Sequence, residues 1–198
     1  MSKRLFDLLM SSLGLLALGP LLILIALAVK LDSPGPVFFR QERVGRFGVP
    51  FRIHKFRTMR HDPAGNGLQI TVGADRRITR VGQFLRASKL DELPQLIDVW
   101  QGTMSLVGPR PEVPRYVAHY PAALRDKVLS VRPGITDIAS IEYRDESAVL
   151  ARAADPERAY IDEVLPHKLA LAASYVDQAS VWLDIKLILR TLGAIVRG

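Results

Sequence analysis

Two carboxylates stand side by side at Asp91 and Glu92, in the stretch "SKLDELPQ". Further along, Arg110 lies between Pro109 and Pro111 in "MSLVGPRP". A guanidinium is a planar fork that matches phosphate oxygens two at a time, and flanking prolines restrict the backbone that carries it. Lys55 and Arg57 in "HKFRTM", with Arg86 just ahead of the acids, add three more cations. Such a set can do phosphoryl chemistry. One carboxylate attacks phosphorus, its neighbour holds Mg²⁺, and the cations neutralise phosphate oxygens. The same residues admit a plainer reading. Pro94 suits the first turn of a helix, which puts Asp91 at or near an N-cap, with Glu92 favourable to the helix dipole and Ser88 assisting. Each lone cation would then be a solvated surface charge. A helix start also offers free N–H groups to phosphate charge, so the location alone does not separate the two readings.

Composition narrows the choice. At 198 residues the chain suits one domain with a sizeable core and one appended element. It has no cysteine, which excludes disulfides, thiolate metal sites and cysteine nucleophiles. The histidines, His54, His61, His119 and His167, have no zinc spacing, and His54 stands out only for its place beside Lys55. The net charge of +7 lies wholly in residues 1–60, and the rest of the chain is balanced. A nucleic-acid binder would wear its basic charge more evenly and carry a recognisable reading motif. Excess charge around an apolar segment suits an anionic membrane surface instead.

That segment runs from Leu8 to Val29 without a charge, long enough to cross a bilayer, which takes about 20 residues. Lys3 and Arg4 flank one side and Lys30 to Arg57 the other, so both flanks read as cytoplasmic. A small-residue cleavage site that would mark a signal peptide is missing. Pro20 removes a helical hydrogen bond near the centre. A helix that enters, bends at Pro20 and returns satisfies both flanks; a straight span with a tolerated proline kink is the alternative.

Beyond it, Ser33 to Pro36 is a rigid turn, and "VFFRQERVG" with "FRIHKFRTM" alternates like a short hairpin around Gly45–Pro50. Positions 61–80 are loop-rich. Helical spacing marks "VGQFLRAS", "LPQLIDVWQG", Val113 to Val131, Asp155 to Ala179, and a last stretch from Ser180 whose apolar residues suit a membrane surface or a core.

These stretches together resemble the bacterial sugar transferase family, the monotopic phosphoglycosyl transferases in their minimal catalytic form. The resemblance covers nearly the whole chain and is carried by "KRLFDLLMSS", "GPVFFRQERVGRFGVPFRIHKFRTM", "LDELPQ", "MSLVGPRP", "VRPGIT" and "SVWLDIKLILRT". It implies an α+β fold: a re-entrant membrane helix over 1–32, then a small, mainly helical cytosolic catalytic domain over 33–198 with a short β-hairpin and interfacial helices. It also implies transfer of a phosphosugar from a UDP-sugar to undecaprenyl phosphate on the cytoplasmic face of the bacterial inner membrane. In that reaction Asp91 is the nucleophile, Glu92 positions Mg²⁺, and Lys55, Arg57, Arg86 and Arg110 bind phosphate oxygens. Membrane phospholipids are expected partners, and nucleic acid is not. Two departures from relatives, the stretch from Asp137 to Arg144 and Ala172, leave the sugar contacts unassigned. A membrane-anchored module that binds anionic lipid or an assembly partner would explain the charge segregation without catalysis, but not the paired acids or the proline-framed arginine. Hydrolysis of nucleotide-sugars without a lipid acceptor is the other enzymatic reading.

Overall fold

An uninterrupted apolar run with a serine ahead of it folds as one long helix. In the computed structural model, which describes residues 2–60, 75–143 and 146–196, α1 spans Lys3–Asp32 and contains Pro20. Ser2 caps it by accepting from the Leu5 amide. Its middle is bare: Leu13, Leu16, Ile23, Leu24 and Leu27 are all exposed, and Leu16 reaches 79%. The buried residues, Phe6, Asp7, Ser11, Ile25 and Val29, gather toward the two ends.

Both ends dock on the same domain. Near the start, Arg4 donates to the carbonyls of Val99 (2.6 Å) and Trp100 (2.8 Å). Lys3 donates to the Val107 carbonyl and the Asp184 carboxylate. Asp7, fully buried, accepts from Ser105 Oγ at 2.9 Å and from the Leu106 amide at 3.1 Å. Near the far end, Ile25 and Val29 pack on Phe56 and Leu85. Arg57 donates to the carbonyls of Val29, Ser33 and Pro34, the acceptors a helix C-terminus leaves open.

The domain begins with two small antiparallel ribbons. β1 (Phe38–Phe39) pairs with β4 (Lys55–Phe56), and β2 (Glu42–Val44) pairs with β3 (Pro50–Arg52), as the alternating pattern predicts. α2 (Arg80–Ala87) and α3 (Gln95–Gln101) follow, with the single 3₁₀ turn Leu90–Glu92 between them. β5 (Ser105–Val107) then pairs in parallel with β6 (Gly134–Thr136). No turn joins β5 to β6, so the hairpin signal that marks the first ribbons is missing from this pair. The backbones meet closely here, since a Cβ on Gly134 would lie 2.1 Å from the Gly108 nitrogen.

The chain between those strands is α4 (Pro114–Val117) and α5 (Ala122–Val128). One helix over Val113 to Val131 was the expectation; Pro121 divides it, because the residue before a proline is pushed out of helical geometry. After β6 come α6 (Ile138–Glu142), α7 (Glu146–Leu150) and α8 (Pro156–Ala159). A π turn over Tyr160–Val164 leads into α9 (Leu165–Gln178), and α10 (Val181–Val196) closes the fold. Asp155 caps α8 and Ala179 ends α9, matching the helical stretch expected between them. The main core gathers Val113, Tyr116, Val128, Leu150, Tyr160, Leu165 and Leu169. Trp182, Leu189 and Leu192 of α10 face outward, while Leu187 is buried against Val107 and Tyr175. Residues 61–74 of the expected loop, with His61, and Arg144 of the divergent stretch lie outside the described residues.

Asp7→Ala removes a buried acceptor and strands the Ser105 hydroxyl and the Leu106 amide, a loss of about 1–3 kcal/mol. Thermal unfolding of the detergent-solubilised chain should show that loss as a lower midpoint.

Candidate active site

The dyad is mounted on a backbone that most residues avoid. Lys89 takes a left-handed conformation, φ 57°, ahead of the turn Leu90–Glu92. That conformation costs a non-glycine residue roughly 1–2 kcal/mol and is found where surroundings hold it. The strained residue turns the chain out of α2, so the following turn is aimed at β4 rather than continuing the helix. α3 begins only at Gln95, with Pro94 at its N-cap and no side chain capping it. The expectation that Asp91 caps this helix is therefore corrected. Ser88 does not assist there either; its hydroxyl donates back to the Phe84 carbonyl.

Asp91 is 5% exposed. Its Oδ2 lies 3.3 Å from Lys55 Nζ, and its Oδ1 is buried with no hydrogen-bond partner among the described residues. An unpaired carboxylate oxygen is costly to bury, and native folds rarely leave one without a use. Glu92 is the opposite case. Oε1 accepts from Arg110 Nη2 (2.5 Å) and Lys55 Nζ (2.9 Å), and Oε2 takes a longer contact from Arg110 Nη1 (3.3 Å). Burial alone would favour the neutral acid, but Arg110 and Lys55 override it and hold Glu92 well below the usual carboxylate range. In return Glu92 pushes the Arg110 guanidinium further up.

Every residue of the turn that carries Arg110 is tied down. The Gly108 amide donates to Thr136 O (3.1 Å) and Gly134 donates to Pro109 O (3.0 Å). The Arg110 amide donates to Asp137 Oδ2 (3.2 Å), while Asp137 Oδ1 caps α6 through Ser140 N. Arg43 donates to Pro111 O (2.9 Å), and the Val44 amide to Glu112 O (2.9 Å). The Glu112 carboxylate, itself buried, accepts from Tyr160 (2.5 Å) and Lys168 (3.2 Å) and faces Arg43 at 3.7 Å.

Lys55 has a comparable mount. His54, next to it, donates from its amide to Asp98 Oδ2 (2.8 Å) and pairs its Nδ1 with Asp98 Oδ1 (2.7 Å), while Arg40 meets its other ring nitrogen. Asp98 is on α3, so the pair ties the strand carrying Lys55 to the helix that follows the dyad. Sequence reasoning missed Asp98, Glu112, Asp137, Lys89 and Lys168 as contributors. A signal existed for two of them: Asp98 interrupts the apolar run "LIDVW", and Glu112 directly follows the Pro-Arg-Pro turn.

Asp91, Glu92, Lys55 and Arg110 therefore meet as the sequence predicts. Arg57 does not join them, because both its terminal nitrogens donate to carbonyls at the end of α1 and just beyond it. Arg86 donates to Thr58 Oγ1 at 3.4 Å and its charge acts on Asp75. The described residues hold no cluster of three or more metal-ligating side chains. Mg²⁺ does not need one, since it takes one or two carboxylates and completes its shell with water and substrate phosphate. The unpartnered Asp91 Oδ1 and the weakly held Glu92 Oε2 are hard oxygens of the right kind, so the dyad fits such an ion.

Breaking the buried Glu112 network is a direct test of the mount. Glu112→Ala should cost about 3–5 kcal/mol by leaving Arg43 without its carboxylate and Lys168 with Glu146 alone. Lys168 and Arg43 outweigh the upward push of burial on Glu112, so its pKa is lower in the folded state than in the unfolded one. Its stabilisation is complete above the ordinary glutamate value of about 4.3 and is lost as pH falls through the lower folded value. Urea midpoints measured between neutral and acid pH should show that acid loss shrinking in Glu112→Gln.

Known proteins share this arrangement of sequence. The family model described as "Bacterial sugar transferase" matches residues 1–198. A UDP-glucose:undecaprenyl-phosphate glucose-1-phosphate transferase of Caulobacter vibrioides is 38% identical over 197 residues, covering 98% of this chain and 69% of that protein. A Xanthomonas campestris protein of the same name is 40% identical over 194 residues, and the match covers 96% of this chain. A UDP-N-acetylgalactosamine-undecaprenyl-phosphate N-acetylgalactosaminephosphotransferase of Aeromonas hydrophila is 36% identical over 198 residues. The match spans 38% of the Xanthomonas protein and 44% of the Aeromonas one. With its whole length matched by the family model, the chain belongs to the bacterial sugar transferase family.

Proposed function

We propose that this protein transfers a phosphosugar from a UDP-sugar to undecaprenyl phosphate through a covalent aspartyl intermediate. The observation that carries this reading is Asp91: a buried carboxylate with one oxygen free, beside Lys55 and a Glu92 clamped by Arg110. In the first half-reaction Asp91 Oδ1 attacks the sugar-bearing phosphorus. The bond from that phosphorus to the bridging oxygen breaks, and UMP leaves with the electron pair. In the second, a phosphate oxygen of undecaprenyl phosphate attacks the same phosphorus and the bond to Asp91 breaks. The products are undecaprenyl-diphosphate-sugar and a regenerated carboxylate. Positioning and charge neutralisation are most of what phosphoryl transfer asks of a protein, and Lys55 and Arg110 supply both on fixed backbones. Mg²⁺, held at Glu92, would add positive charge against the diphosphate.

The lipid acceptor explains α1. Its apolar middle is bare while both its ends are fastened to one domain. That arrangement supports a helix that enters the bilayer and returns to the face it came from, with Pro20 at the break, rather than a span from side to side. In this reading the catalytic domain lies on the cytoplasmic face, where the positive charge of residues 1–60 would meet anionic phospholipid. The sugar transferred is a hexose of the kind the relatives' names print, with glucose and N-acetylgalactosamine the first donors to try.

UMP release from UDP-glucose and UDP-N-acetylgalactosamine, with Mg²⁺ and with or without undecaprenyl phosphate, tests this directly. Asp91→Asn should lower turnover by roughly 10³-fold or more, and Arg110→Ala by roughly 10²–10³-fold. Denaturing mass spectrometry of wild type given donor alone should show a phosphosugar adduct that Asp91→Asn lacks. UMP release at full rate without the lipid would make the protein a hydrolase instead.

A further inference from the structure

Glu92 sits on the two cations that would serve a phosphate. A carboxylate on a guanidinium fork, with an ammonium on one of the same oxygens, presents two anionic oxygens much as a phosphate does. Lys55 and Arg110, the cations of the site, are engaged by Glu92 at 2.9 Å and 2.5 Å. With Asp91, the four side chains hold two charges of each sign and balance to zero. An incoming diphosphate therefore meets cations that are already spoken for. Arg110 is 32% exposed and its outer N–H groups can be reached, but to take its fork and Lys55 together the diphosphate must dislodge Glu92, whose side chain is only 14% exposed. A nearly buried carboxylate stripped of its partners is strongly unfavourable, so displacement needs a second cation to receive it.

We propose that Glu92 is an internal stand-in for the substrate's phosphate, so that diphosphate and Mg²⁺ bind as a pair through one exchange of partners. The diphosphate takes Arg110 and Lys55 from Glu92, and the freed carboxylate takes the metal. The backbone need not move, because the left-handed Lys89 and the turn Leu90–Glu92 hold the base of the side chain while its outer bonds rotate. Asp91 plays no part in this exchange. It touches Lys55 alone, at 3.3 Å, and keeps Oδ1 free throughout. This inference rests on the reading of the site as one for a nucleoside diphosphate-sugar.

Binding of UDP to the full-length chain in nanodiscs, by calorimetry in EDTA and in Mg²⁺, separates the two. Wild type should bind UDP about 10-fold or more tightly with Mg²⁺ than without, within the range usual for coupled sites. Glu92→Gln keeps the shape and removes the charge. In EDTA it should bind UDP about 10-fold more tightly than wild type, and Mg²⁺ should add little. Glu92→Asp, too short for the two-point contact with Arg110, should lie between them and keep its metal dependence. It carries the test if the glutamine variant does not fold. Metal-free binding to Glu92→Gln or Glu92→Asp that is no tighter than to wild type overturns the exchange and leaves the functional reading standing. Failure of wild type to bind UDP even with Mg²⁺ overturns the functional reading, and the exchange with it.

Discussion

Arg110 can grip Glu92 at two points only because the turn beneath it has no freedom of its own. Five consecutive residues, Gly108 to Glu112, each have a backbone group in a hydrogen bond, the first three with residues 134–137 and the last two with Arg43 and Val44. Two prolines limit what is left. A guanidinium on such a base loses little entropy when it binds, which is where positioning gains its value. Loosening any tie would widen the distribution of Arg110 and, through Glu92, of the site's charge balance.

Those ties lead outward to the rest of the fold. β6 supplies two of them, and Thr136 at its end hydrogen-bonds Thr191 of α10. β5, which runs into Gly108, is held from the other side by Asp7 of α1. The Val107 carbonyl accepts both from Lys3 and from Tyr175, and Tyr175 shares Asp184 with Lys3. An apolar helix, a surface helix and the turn that carries Arg110 thus meet at one strand of three residues. The segments suited to lipid and the segment suited to phosphate are mechanically one unit.

Much of this was legible in the sequence and some was not, for reasons that differ by residue. The hairpin over Phe38–Phe56, the end of α9 and the start of α10 follow from alternation, caps and spacing, which are local signals. Asp91, Glu92, Lys55 and Arg110 were legible as a set of charges suited to phosphate, but residue chemistry alone left a helix cap open, and the resemblance carried by "LDELPQ" and "MSLVGPRP" decided between the two. What stayed hidden depends on pairing at long range. Asp137 binds an amide 27 residues away and Asp98 a histidine 44 residues away. Neither carries a mark in its own neighbourhood that names its partner. Arg57 misled for the same reason: its charge was visible, but not the three carbonyls that consume it. Asp91 also misled as a helix cap, because the left-handed Lys89 that displaces the turn is a lysine and not the glycine that would have advertised it.

The double attachment of α1 has a consequence for its length. Asp7 and Val29 are held by different parts of the fold, and an α-helix advances about 1.5 Å and turns about 100° per residue. Adding or deleting a residue between them would swing one anchor away from its socket, even if the inserted residue were perfectly apolar. The segment therefore works as a ruler cut to the protein, not to the bilayer. On the proposed reading of α1 as a membrane-embedded helix, its hydrophobic reach cannot drift to suit thicker or thinner membranes, and the lipid would deform to meet the protein.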